Sequence, residues 1–281
     1  MPSISVCIME RVMATFELAT PEWLARHIGQ EDIVLVDTRP VAEYWAGHIP
    51  GARHLDPSLF SVPRTDGPAL ARLQAVLTWS LSALGIAPGS RVVVAGAQNE
   101  VNAARVAWAL AYAGVEHILL LDGGVDAWTG ERVTAAPAVT ATPFTATPQS
   151  AYLATAEEVL AAVRQAQPAG VRVIDARSRE EFAGQRSNAG RTGRVPGARF
   201  WDTSRELAAD GRFAAAAQLA PAVEDVVAAD ERAIVYCGGG GRAARTFIAL
   251  QLAGHAGAAV YPASWNEWGT SDKFPVESTA V

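Results

Sequence analysis

The chain has 281 residues, half of them apolar and 19% charged, with a net charge of −6. This is an ordinary globular composition, long enough for two domains of about 140 residues each, and without a dense Lys/Arg stripe it weighs against nucleic acid as a partner. Its two cysteines, Cys7 and Cys237, leave no disulfide framework and no Cys/His metal spacing, which fits a reducing compartment. In chain order, Glu10, Arg11 and Glu17 come first, where a signal peptide would need an unbroken apolar core. No apolar run approaches the roughly 18 residues of a membrane span, so the expectation is a cytoplasmic protein with residues 1–14 as a loose tail and Cys7 incidental.

A helix is predicted to open at Thr20, with Pro21 in its first turn, followed by a strand at 33–36. A helix at 68–84, a strand at 91–95, a helix at 101–113 and a strand at 117–121 complete the first half. Residues 134–150 contain three prolines and no charge, the composition of an extended linker. Thr155-Ala156-Glu157-Glu158 has the form of a capping box that starts a helix. Strands follow at 171–175, 232–236 and 258–261, with helices near 221–229 and 242–253. Such alternation predicts an α/β fold whose mainly parallel sheets carry helices on both faces.

The second half repeats the first. Ile33-Val34-Leu35-Val36-Asp37-Thr38-Arg39 returns 138 positions later as Val171-Arg172-Val173-Ile174-Asp175-Ala176-Arg177. His48-Ile49-Pro50-Gly51-Ala52-Arg53 returns 146 positions later as Arg194-Val195-Pro196-Gly197-Ala198-Arg199, and later segments match at about 140. The changing offset places an insertion of about eight residues between Phe182 and Arg194, in a stretch that carries Arg186 and Arg191. The expected domains are 15–133 and 151–281, joined by 134–150.

Cys237-Gly238-Gly239-Gly240-Gly241-Arg242 lies between a predicted strand and a predicted helix. The carboxyl end of a strand is where open α/β sheets bind ligands. Glycines let several N–H groups converge on one centre, a helix N-terminus adds partial positive charge, and Arg242 adds a full one. All three favour thiolate over thiol at Cys237. A buried structural cysteine needs neither four consecutive glycines nor an adjacent cation. The matching loop of the first half, Gly96 to Asn102, has no nucleophile, so one site per chain is expected.

Together these features resemble the tandem-domain sulfurtransferases, the rhodanese and mercaptopyruvate sulfurtransferase family. The likeness runs from about Thr20 to Trp268. It rests on Asp-x-Arg after the first strand, Gly47-His48-Ile49-Pro50-Gly51-Ala52, Leu121-Asp122-Gly123-Gly124 before Trp128, the cysteine loop, and Ser264-Trp265-Asn266-Glu267-Trp268. It implies two rhodanese-like domains, the second catalytic, with Cys237 as nucleophile and Gly238, Gly239, Gly240, Gly241, Arg242 and Ala243 cradling an anionic persulfide. No metal or organic cofactor is implied. The partners would be a small anionic sulfur donor and a thiophilic acceptor, namely cyanide, a thiol or a thioredoxin-like protein.

The resemblance allows two donors, of which thiosulfate is the expected one and 3-mercaptopyruvate the alternative. Arg242 favours a small dianion such as thiosulfate, whereas Arg191, with Arg186 close by, matches arginines that hold the carboxylate of 3-mercaptopyruvate in the family. The loop departs from the family's Cys-Gly-Ser-Gly-Val-Thr form, with Gly239 where that pattern has serine. A cysteine phosphatase is the competing enzyme class, but its loop leaves five residues between cysteine and arginine where this one leaves four. A non-catalytic persulfide carrier would use the same loop. Asp37 and Asp175 are expected to close hydrogen bonds at strand ends, Arg39 and Arg177 to hold loops against the domain interface, Trp201 or Trp265 to wall the pocket, and Glu267 to be structural.

Overall fold

A computed structural model describes residues 13–98, 101–165 and 170–278. Cys7, most of the expected N-terminal tail, and Asn99 and Glu100 of the first-half loop lie outside the described residues.

The first half runs β1 (Thr15–Ala19), α1 (Pro21–His27), β2 (Ile33–Asp37), α2 (Val41–Ala46), β3 (Arg53–His54), α3 (Gly67–Ala83), β4 (Arg91–Ala95), α4 (Val101–Ala113) and β5 (His117–Leu121). Its five strands form one parallel sheet in the order β1-β5-β4-β2-β3. The second half runs α5 (Ala156–Arg164), β6 (Val171–Asp175), α6 (Arg179–Phe182), β7 (Arg199–Phe200), α7 (Ala216–Glu224), β8 (Arg232–Tyr236), α8 (Gly241–Leu252), β9 (Ala258–Val260) and α9 (Ser264–Trp268). Its parallel sheet has the order β7-β6-β8-β9. Leu153 bridges Val260 in parallel, where β1 stands in the first half.

Local chemistry places the main boundaries. Thr20 caps α1 by accepting the Trp23 N–H, with Pro21 in the first turn. Thr155 and Glu158 form the predicted capping box on α5. Three differences from the sequence reading stand out. β1 alternates exposed and half-buried residues at the sheet edge, a pattern too short and too polar to predict. α2, β3, α6, β7 and α9 have two to six residues each, too few for a periodicity. α7 begins five residues before the predicted start, because Ala216 to Leu219 propagate a helix ahead of Pro221, which lies inside it.

Helices α4 and α8, which occupy equivalent places in the two halves, pack on one another and join both halves into one apolar core. Ala103, Ala104 and Ala107 on α4 and Ala243 and Ala244 on α8 are fully buried, and Phe16 meets Phe247 edge-on at 5.3 Å between ring centroids. Residues 134–149 form neither helix nor strand. They lie along the first half, with Thr142 N–H donating to the Ser82 carbonyl, Ala146 N–H to Thr78 Oγ1 and Gln149 N–H to the Tyr112 carbonyl.

Candidate active site

Cys237 leaves the carboxyl end of β8 and is buried. Its backbone is clamped from α9: Ser264 Oγ accepts the Cys237 N–H at 3.0 Å, Trp265 N–H donates to the Cys237 carbonyl, and Asn266 N–H to the Gly238 carbonyl. Ser264 is held at φ 55, the only non-glycine residue with positive φ among those described, and its hydroxyl donates to the Tyr261 carbonyl at 2.8 Å. A serine in that region is strained, and here the strain accompanies a bond to the cysteine. The motif around Ser264 was visible in the sequence; this bond was not.

Each of the four glycines answers a different neighbour. Gly240 has φ +89, and a Cβ there would lie 2.5 Å from the Pro262 carbonyl oxygen. A Cβ on Gly239 would meet Asn266 Nδ2 at 2.9 Å; on Gly241, Val101 and Arg105 of the first half at 3.2 Å; on Gly238, only the Arg242 guanidinium at 3.2 Å. The close-packed loop turns Gly240 N–H towards Cys237 Sγ at 3.2 Å. Gly241, Arg242 and Ala243 open α8, where backbone N–H groups have no acceptor one turn back.

Arg242 lies beside the sulfur and is fork-bonded to Glu181, with its two terminal nitrogens 2.7 and 3.1 Å from the two carboxylate oxygens. Burial opposes the charge on Arg242, and its bonds to Glu181 together with the charge of Cys237 outweigh that and raise its pKa. Burial likewise opposes ionisation of Glu181, but bonds from Arg242 and the Ser178 N–H overcome it and lower its pKa to about 2. Sequence reading missed Glu181. Its signal was Ser178-Arg179-Glu180-Glu181, a second capping box, which the structure forms.

The other predicted arginines separate. The Arg191 guanidinium donates to the carbonyls of Gly269 at 3.3 Å, Phe274 at 3.0 Å and Trp268 at 2.7 Å, and also to that of Ser271. It holds the segment after α9 in place. Arg186 is exposed, and its charge bears on Glu180. Arg39 and Arg177 make matching contacts in the two halves. Each grips the aspartate two residues before it, at the end of β2 or β6, and donates to one loop carbonyl of its own half, Gly47 or Gly193. Trp201 is buried and donates to Glu206, while Trp265 is buried over the Arg177 guanidinium at 4.3 Å. Glu267 is a bridge between halves, accepting from Thr65 N–H and Oγ1 and from the Tyr261 hydroxyl. Beside it, a cavity of about 440 Å³ lies between residues 63–66 and α9, with Asn266 and Lys273 in its wall.

One further cation reaches the loop from the first half. Arg105, on α4, donates to the Gly239 carbonyl at 2.9 Å and to Ser61 Oγ at 2.8 Å.

A parallel α/β half that carries a cysteine at a strand end, repeated once without it, is the architecture the sequence led us to expect. The Rhodanese-like domain model matches the chain twice, at residues 20–131 and 155–271. The chain belongs to the rhodanese-like family. Among curated rhodanese-like relatives, a thiosulfate sulfurtransferase of Pseudomonas aeruginosa is 30% identical over 92% of this chain and 95% of its own. A thiosulfate sulfurtransferase of Corynebacterium glutamicum is 31% identical over 93% of this chain and 90% of its own. A probable 3-mercaptopyruvate sulfurtransferase of Pseudomonas aeruginosa is 29% identical over 94% and 99% respectively. Among solved structures, the anaerobic ergothioneine biosynthesis enzyme of Chlorobium limicola superposes with a TM-score of 0.80 over 94% of this chain and 71% of that one, at 22% identity, a likeness of fold alone. No helix among the described residues is long and apolar enough to cross a membrane.

Proposed function

We propose that this rhodanese-like protein is a cytoplasmic sulfurtransferase that moves sulfane sulfur from thiosulfate to cyanide or a thiol through a persulfide on Cys237. In the first half-reaction the Cys237 thiolate attacks the outer sulfur of thiosulfate. The sulfur–sulfur bond of the donor breaks, sulfite leaves with its electron pair, and Cys237 carries a terminal anionic sulfur. In the second, cyanide or a thiolate attacks that terminal sulfur, the cysteine–sulfur bond breaks, and thiocyanate or the acceptor persulfide leaves as the thiolate is restored. No net redox change or metal is required.

The observation that carries this reading is the sulfur's setting: Gly240 N–H points at Sγ, the open first turn of α8 follows, and Arg242 stands beside it. Thiosulfate is favoured over 3-mercaptopyruvate because the arginine matched to carboxylate binding, Arg191, is occupied by backbone carbonyls. Treating the purified protein with thiosulfate should add one sulfur to the Cys237 peptide by mass spectrometry, and Cys237→Ser should abolish it. Absence of an adduct from either donor would sink the reading. A persulfide that passes only to one protein partner and never to cyanide or small thiols would make the protein a carrier.

A further inference from the structure

We propose that Arg105, on the half of the molecule whose matching loop lacks a cysteine, is a positioning residue for Cys237: it fixes and polarises a peptide unit whose N–H points at the sulfur. The proposal rests on the sulfur-transfer reading for its purpose, though not for its geometry.

Arg105 donates to the Gly239 carbonyl at 2.9 Å, and Gly240 N–H points to Cys237 Sγ at 3.2 Å. The Gly239 carbonyl and the Gly240 N–H belong to one peptide group. In a trans peptide they point in opposite directions, so a donor holding the oxygen aims the N–H the other way. No cis peptide occurs among the described residues. A guanidinium on the oxygen also draws electron density along the peptide and strengthens the N–H as a donor to an anionic sulfur.

The internal repeat explains why this arginine is available. Arg105 corresponds to Arg245, 140 positions on. The turns at Pro57–Phe60 and Thr203–Glu206 also correspond, each preceded by a capping aspartate, Asp56 or Asp202. In the second half Glu206 closes that turn and binds Arg245 Nε at 2.6 Å. In the first half Phe60 stands in its place and is buried. Arg105 has no carboxylate partner among the described residues; it donates to neighbouring Ser61 and crosses to the cysteine loop. Burial lowers the pKa of Arg105, and Cys237 lies near enough to oppose that shift.

The test compares alkylation of Cys237 by iodoacetamide in the full-length wild type, R105Q and R105K from pH 5 to 10, followed on the Cys237 peptide so that Cys7 does not contribute. R105Q should move the reactivity profile to higher pH, with alkylation on the acid limb about tenfold slower and the alkaline plateau unchanged, since one pH unit in the thiolate midpoint is a factor of ten. R105K keeps a charged donor and should retain most of the acid-limb reactivity. A folded R105Q whose profile overlies the wild type overturns the proposal. If R105Q does not fold, a folded R105K that loses acid-limb reactivity tenfold or more overturns it, because charge would then not be what matters. Alkylation involves no sulfur transfer. A wild type that gives no persulfide with thiosulfate would therefore remove the functional reading while leaving this result intact.

Discussion

Ser264 Oγ accepts the backbone N–H of Cys237 at 3.0 Å from a backbone that only glycine adopts without strain, at φ 55. The bond joins α9 to the end of β8, so the cysteine's position depends on a segment 27 residues further on. Ser264→Ala should leave a buried N–H unpaired and keep the strain, lowering stability by about 1–3 kcal/mol. Ser264→Gly loses the same bond but relieves the strained φ, so its denaturation midpoint should lie above that of the alanine variant. Equal midpoints would mean that the positive φ carries no cost here.

The glycines of the loop should respond unequally. Gly240→Ala combines a positive φ with a clash against the Pro262 carbonyl oxygen and should cost about 2 kcal/mol or more, with loss of persulfide formation. Gly238→Ala meets only the end of the Arg242 side chain and should fold with nearly wild-type stability. Urea unfolding of the two variants decides the order.

Glu181 introduces an acid limb. Its pKa is lowered to about 2, so its contribution to stability is complete above the usual carboxylate range near 4.5 and is lost as the pH falls towards 2. Because Arg242 is partly open to solvent, that contribution is about 2 kcal/mol rather than the full value of the shift. Glu181→Gln should therefore be less stable than wild type at pH 7, and the gap should close on acidification. A gap independent of pH would show that the pair is not its source.

Arg191 and Arg186 should differ in kind. Arg191→Ala removes the donor to several carbonyls after α9, so it should lower Tm by several degrees with little change in the KM for either donor. Arg186→Ala should leave Tm unchanged, and any effect should fall on donor binding. A raised mercaptopyruvate KM in Arg191→Ala at unchanged Tm would return Arg191 to the donor site.

Arg242→Ala should reduce kcat/KM for thiosulfate more than for 3-mercaptopyruvate, by about tenfold for the dianion. Steady-state comparison of the two donors at one acceptor concentration checks this. Equal losses would assign Arg242 to the cysteine rather than to the donor.

Much was legible before any coordinates. The apolar runs of β2, β4, β6 and β8 and the capped starts of α1 and α5 are local signals, written in consecutive residues. The repeat marked two copies of one plan and singled out Cys237 as a candidate, because the cysteine and its glycines lie next to one another in the chain. The elements that were missed, β1, β3, β7, α2, α6 and α9, are edges and short turns whose form depends on what they pack against.

The sequence alone therefore determined the fold class and the duplication, and it marked Cys237 as the candidate nucleophile. It could not assign charges to partners, since an arginine's role depends on which acceptors the fold brings within about 3 Å. Only the tertiary structure placed Arg191 on carbonyls, paired Arg242 with Glu181, and brought Arg105 from the other half of the molecule to the Gly239 carbonyl. The reason is distance along the chain. Those contacts join residues 61 to 134 positions apart, and no local pattern records them.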